Sequence, residues 1–182
     1  MNLNKIEQGA RLILEGLEVD LEDTNFATTP QRVAKVYQEL FTPKETGWPV
    51  FEESYTDLVI MRGHTFYTMC PHHLLPVKLT ASVAYLPDGK VIGASKLVRM
   101  LHEANRKPMT QESLTQASLD MIDRLTEGTS GGGAVLMKGE HGCFSIRGVK
   151  SDASMLTCKF SGRFLSEPFL QQRFFDLIRM AA

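Results

Sequence analysis

The hydrophobic pattern changes its period inside "FTPKETGWPV", residues 41–50, and this change constrains the fold more than any other feature. Before it, Ile6, Ala10, Ile13, Leu14 and Leu17 recur at helical spacing. "TTPQRVAKVYQELF" follows with Thr29 as the expected cap, Pro30 at the first helical position, and Val33, Val36, Tyr37 and Leu40 on one face. After it, "DLVIMRGHTFYTM" and "KLTASVAYLPDGKVIGAS" are rich in β-branched and aromatic residues, and the second reads as strand, Pro-Asp-Gly turn, strand. Ser95 then stands as a cap for "SKLVRMLHEANR", and "QESLTQASLDMIDRL" adds a helix with Leu114, Ala117, Met121, Ile122 and Leu125 on one stripe. "EGTSGGG" closes that pair as a loop; it lacks the Gly-Lys-Ser/Thr ending of a phosphate cradle. "AVLMKGE", "HGCFSIRGV" and "SMLTCKFSGRF" predict three more strands, and "SEP" opens a closing helix. The succession predicts an α+β fold, with an N-terminal helical arm over residues 1–45 and, over residues 46–182, an antiparallel sheet with paired helices on one face.

Charge excludes some partners. A net charge of -1 over 182 residues gives no field to attract nucleic acid or an anionic membrane, so an anionic ligand needs a local basic cluster. The chain shows no apolar run of membrane-spanning length and no apolar block at its start. Three widely spaced cysteines fit a reducing, cytoplasmic setting in which thiols serve chemistry or packing.

Those thiols are the next constraint. "TFYTMCPHHLLP" places Cys70, His72 and His73 within four positions, and Cys-x-x-His is half of many zinc sites. "EHGCFSIRG" repeats the thiol-imidazole pairing with His141 and Cys143, whose spacing predicts one face of a strand. Two ligand sets remain open at this point. Cys70, His73 and Cys143 would leave a catalytic vertex free, with His72 and His141 as acid/base groups beside the metal. Adding His141 or Cys158 would close a structural site. Cys158, in "MLTCKF" with no histidine near it, reads as a small core residue. Thiolate and imidazole favour zinc, although iron or cobalt accept the same donors.

From about residue 28 to 165 the chain resembles GTP cyclohydrolase I, through "TPQRVAKVY", "FYTMCPHHLLP", "VAYLPDGKVIGASKLVRML", "QESLTQ" and "HGCFSIRGV" in that order. The resemblance implies the tunnelling fold, a homodecamer of two stacked pentamers with interfacial active sites, and conversion of GTP and water to 7,8-dihydroneopterin triphosphate and formate, the entry to pterins such as folate. It implies Cys70, His73 and Cys143 as ligands of Zn2+, His141 as proton donor to the purine ring nitrogen, and His72 as the second acid/base group. It also implies Glu112, with Gln111 beside it, for guanine, Ser95 near the ribose, and Lys96, Arg99, Arg147 and Arg32 for the triphosphate. Three positions depart from the family pattern: Pro71 where a glutamate is usual, Ser113 for the arginine of the "QERLT" motif, and Ala94 for a larger apolar residue. Pro71 removes a carboxylate and a backbone N–H from the edge of the site. A same-fold enzyme that opens the purine ring to another product is the nearest alternative, and a non-catalytic zinc-stabilised purine-binding module is the other.

Overall fold

The computed structural model describes residues 1–43 and 47–180, and the chain divides into two compact units, Met1–Lys44 and Glu45–Ala182. The expected boundary between 45 and 46 lies outside the described residues.

The first unit is a pair of packed helices, α1 (Leu3–Gly16) and α2 (Thr29–Phe41). Asn2 caps α1, its side chain accepting the Lys5 N–H at 3.1 Å. In α2 the capping position falls to Thr28 and not Thr29, without a side-chain hydrogen bond, and Pro30 sits in the first turn, where its missing N–H costs nothing.

The second unit is built on a four-stranded antiparallel sheet in the order β2 (Val59–Met69), β3 (Pro76–Tyr85), β5 (Gly133–His141), β6 (Met155–Phe160). Two short strands, β1 (Val50–Glu52) and β4 (Lys90–Ile92), form a separate ribbon. The sequence predicts β3 and β4 as a hairpin, and the structure corrects this: β3 is a central strand, with β2 on one edge and β5 on the other, so no edge is left for the returning chain. β4 pairs with β1 instead, Val50 opposite Ile92.

Alternation along β3 and β5 makes two faces. On the first, Leu79, Ala81, Val83, Tyr85, Val135 and Met137 pack under α3 (Ala94–Ala104) and α4 (Gln111–Leu125). These are the expected paired helices. On the second, Ala84, Ala134, Leu136, Cys158 and Phe160 meet the short α6 (Arg163–Ser166) and α7 (Pro168–Arg179) through Phe164, Leu170 and Phe174. Burying a side chain such as Phe174 contributes about 1.5–3 kcal/mol. α3 is tied to edge strand β2 by Asn105 Nδ2, which donates to Tyr67 O at 2.9 Å, and by His64 and His102, whose Nε2 atoms lie 3.2 Å apart.

Three further expectations are corrected. Ser95 lies inside the first turn of α3, and the capping position belongs to Gly93. Ser166 does not cap the closing helix; it ends α6, and Glu167 occupies the position before Pro168. "HGCFSIRGV" is not a strand. β5 ends at His141, and Gly142–Ser145 form a single helical turn, α5. The register places Val77 opposite His141, so the next partner would be Pro76, which has no N–H to extend the ladder. A Cβ at position 142 would also press on the Pro76 carbonyl, so only glycine turns the chain there without strain.

Candidate active site and metal centre

The β2–β3 connection folds back on itself, with Leu74 N–H donating to Cys70 O and Cys70 N–H to Leu75 O, both at 2.9 Å. This turn carries Cys70, His72 and His73 to the end of the sheet where β5 stops. There α5 delivers Cys143, one residue after the turn at Gly142. The ligand atoms of Cys70, His73 and Cys143 lie within 4.8 Å of one another. Cys70 is buried, His73 exposed and Cys143 between the two. Bonds of about 2.0–2.3 Å to one ion would draw such atoms to within about 4 Å, a side-chain adjustment of roughly an ångström. The donor set therefore fits a thiophilic divalent cation, and these three residues can hold a metal ion.

Burial, reinforced by the neighbouring Cys70, pushes the Cys143 thiol above its usual range. A divalent cation reverses that preference, because metal binding expels thiol protons. His73 presents Nδ1 to Cys70 Sγ at 3.8 Å and accepts at Nε2 from Arg147 Nη1 at 2.8 Å. Cys158 stands in the second core, its thiol pushed up to about 11 by burial, and is remote in character from this cluster. His141 directs Nε2 to Gln111 Oε1 at 2.8 Å.

The metal cluster borders a cleft of about 290 Å³. Its walls include Cys70, His72, Gln111, Glu112, His141 and Cys143, with apolar surface from Val77, Met109, Phe144 and Met155. A larger groove of about 530 Å³ runs past Trp48, Lys90, Glu103 and Arg124 but contains no histidine or cysteine. Chemistry thus selects the smaller cleft. Glu112 is exposed in the first turn of α4, where the helix dipole favours its charge. Burial holds the His141 imidazole below its ordinary pKa, against the opposing charge of Glu112. Its ring stacks on Phe144 with centroids 5.7 Å apart.

Other expected residues lie elsewhere. Ser95, Lys96 and Arg99 sit on α3 and do not line this cleft. Lys96 is only 7% exposed, and burial together with Arg99 holds its amine below the usual lysine range. Arg32 is exposed on α2 in the first unit. Pro71 lines the cleft, and Ser113 N–H is satisfied by Thr110 Oγ1 at 3.2 Å, so Ser113 completes the α4 cap. Sequence reasoning missed Thr68, whose buried hydroxyl lines the cleft with no hydrogen-bond partner among the described residues, although its alternation with Phe66 on β2 and with Cys70 just beyond it signals a common face.

The chain matches the GTP cyclohydrolase I family over residues 6–179. It is 40% identical over 178 residues to GTP cyclohydrolase 1 of Sulfurihydrogenibium sp. (strain YO3AOP1), covering 96% of this chain and 94% of that protein. It is 37% identical over 182 residues to GTP cyclohydrolase 1 of Clostridium perfringens (strain 13 / Type A), covering 97% of each. Among solved structures, an archaeosine synthase QueF-Like in the apo form has a TM-score of 0.47 at 17% identity, over 58% of this chain and 93% of that one. On the sequence matches, which run nearly end to end, the chain belongs to the GTP cyclohydrolase I family of enzymes, with its tunnelling fold.

Proposed function

We propose that the chain is a zinc-dependent GTP cyclohydrolase I that forms 7,8-dihydroneopterin triphosphate and formate. The observation that carries this reading is the juxtaposition of two thiols and an imidazole with a cleft that also holds His72, His141 and Glu112. Cys70, His73 and Cys143 would hold a zinc ion, which would supply the Lewis acidity that makes water a nucleophile near neutral pH.

The remaining work belongs to the protein's own side chains. Glu112 accepts the amide N–H and exocyclic amine of guanine, two donors that one carboxylate engages together. His141 delivers a proton to the imidazole-ring nitrogen of the purine and makes the adjacent carbon electrophilic. His72, exposed at the mouth, exchanges protons during ribose opening and rearrangement. Lys96, Arg99, Arg147 and Arg32 bind the triphosphate, and Ser95 the ribose. Because Ser95, Lys96 and Arg99 do not line the cleft of their own protomer, their roles require an interfacial site. The sheet leaves outer edges on β2 and β6 that edge-to-edge rings would pair, and the family resemblance makes the assembly a decamer of two stacked pentamers. No described helix is long and apolar enough to cross a membrane; we place the enzyme in the cytoplasm.

The test is incubation of purified protein with GTP, following dihydropterin absorbance with and without a chelator. Pterin that disappears with the chelator and returns with zinc supports the reading. Formate without pterin shows a diverted enzyme, and metal retention with no reaction of GTP shows a binding module.

A further inference from the structure

The carboxamide of Gln111 has only one orientation open to it. Its Nε2 lies 3.1 Å from each of Met137 O, Met155 O and Thr157 Oγ1. Two of these are carbonyl oxygens, which only accept, so the amide nitrogen faces them and Oε1 is turned the other way. The hydroxyls fix the rest. Thr115 Oγ1 donates its single proton to Gln111 O at 2.7 Å, so it accepts from Thr157 Oγ1, also at 2.7 Å. Thr157 keeps a lone pair for the Gln111 amide. Every donor in this network has an acceptor, and the residue is 3% exposed.

Oε1 meets His141 Nε2 at 2.8 Å. An amide oxygen cannot donate, so the ring nitrogen does. Gly139 makes this approach possible: it shares the β5 face of His141, and a Cβ there would collide with Gln111 Oε1 and crowd His141 Nε2. Stacking on Phe144 fixes the ring plane. His141 Nδ1 makes no hydrogen bond among the described residues.

We propose that Gln111 is a positioning residue: it holds His141 as the Nε2–H tautomer and assigns proton exchange with substrate to Nδ1. This deepens the role given to His141 above and rests on it. When the imidazolium acts as an acid, the Nδ1 proton passes to the purine nitrogen and the Nε2 proton stays on Gln111. Nδ1 regains a proton in a later step of the same turnover. Gln111 then contacts the acid and not the base of GTP, in contrast to its expected place beside guanine.

Magic-angle-spinning NMR of the metal-loaded full chain, labelled with ¹⁵N in histidine, tests this without turnover. The His141 signals are identified by their loss in His141→Gln. At a pH where the ring is neutral, a protonated Nε2 and a bare Nδ1 are expected; the reverse, or an even mixture, overturns the proposal. Gln111→Met, which keeps the length and removes the amide, should mix the tautomers and lower kcat by about 10- to 100-fold, with KM for GTP changed less than about threefold. A raised KM at unchanged kcat would make Gln111 a substrate contact and overturn it. Should that variant not fold, the wild-type spectrum decides alone. Failure of the cyclohydrolase reading would appear in the GTP assay and leave the spectrum as it is.

Discussion

Replacing Tyr85 with phenylalanine removes one oxygen atom from the core and should loosen the approach to α3. Tyr85 is 0% exposed, and its hydroxyl accepts the Ile92 N–H at 2.8 Å, joining the end of the central strand to the β1–β4 ribbon. Ile92 is itself 2% exposed, so no water replaces the lost acceptor. A buried donor left unpaired costs about 1–3 kcal/mol. At about 1.4 kcal/mol per tenfold, local opening of the ribbon becomes roughly 5- to 150-fold more frequent. Amide exchange at Ile92 should accelerate by that factor, and the urea midpoint should fall with its slope unchanged. The next residues are Gly93, at the capping position of α3, and then Ser95 and Lys96. Faster exchange should therefore reach the first turn of α3 while β5 stays protected. Unchanged exchange at Ile92 together with an unchanged midpoint would show that the N–H has another acceptor, and would refute the reasoning.

The second core depends on Phe174, fully buried among Phe160, Phe164 and Phe175; Phe174→Ala should destabilise by about 3–5 kcal/mol in urea unfolding. Glu112→Gln should reduce kcat/KM for GTP by about 10- to 150-fold, and the penalty should shrink for inosine triphosphate, which lacks the exocyclic amine; an equal penalty for both would disconnect Glu112 from that amine. His64 and His102 give a pH dependence of stability. Burial lowers both imidazoles, and His64 lowers His102 further. Unfolded histidines bind protons near pH 6.5, whereas the folded pair binds them only at lower pH. The unfolded chain thus holds more protons in that interval, so stability is complete above about pH 6.5 and falls as pH drops through the folded values. Urea midpoints from pH 7.5 to 5.5 should fall less in His102→Leu than in the wild type.

Hydrophobic period was sufficient to read α1, α2, α3, α4 and the long strands β2 and β3, because each buries a stripe or face that its own sequence repeats. The pairing of β4 was not legible, since it depends on β3 being occupied along both edges, by β2 on one side and by the distant β5 on the other. The end of β5 was hidden for a similar reason. His141 and Cys143 alternate as strand residues do, and only the partner proline across the ladder shows why the strand stops between them. Consequently the ligand cluster is assembled by a helical turn, not a strand face; residue type and spacing named its members among the candidates, and the choice of these three rested on the family resemblance. Gln111 illustrates a different limit. Its neighbours Met137, Met155 and Thr157 come from β5 and β6, and no local pattern announces a side chain whose partners are carbonyls of distant strands.

The placement of Cys158 has a practical corollary. With its proton retained to a pH of about 11, its sulfur is a poor nucleophile toward maleimides or iodoacetamide at neutrality. The other two thiols of the chain are those of Cys70 and Cys143. Covalent labelling of the native protein at neutral pH, counted by intact mass, should therefore receive little signal from Cys158, and any adduct reports on the two thiols of the ligand cluster.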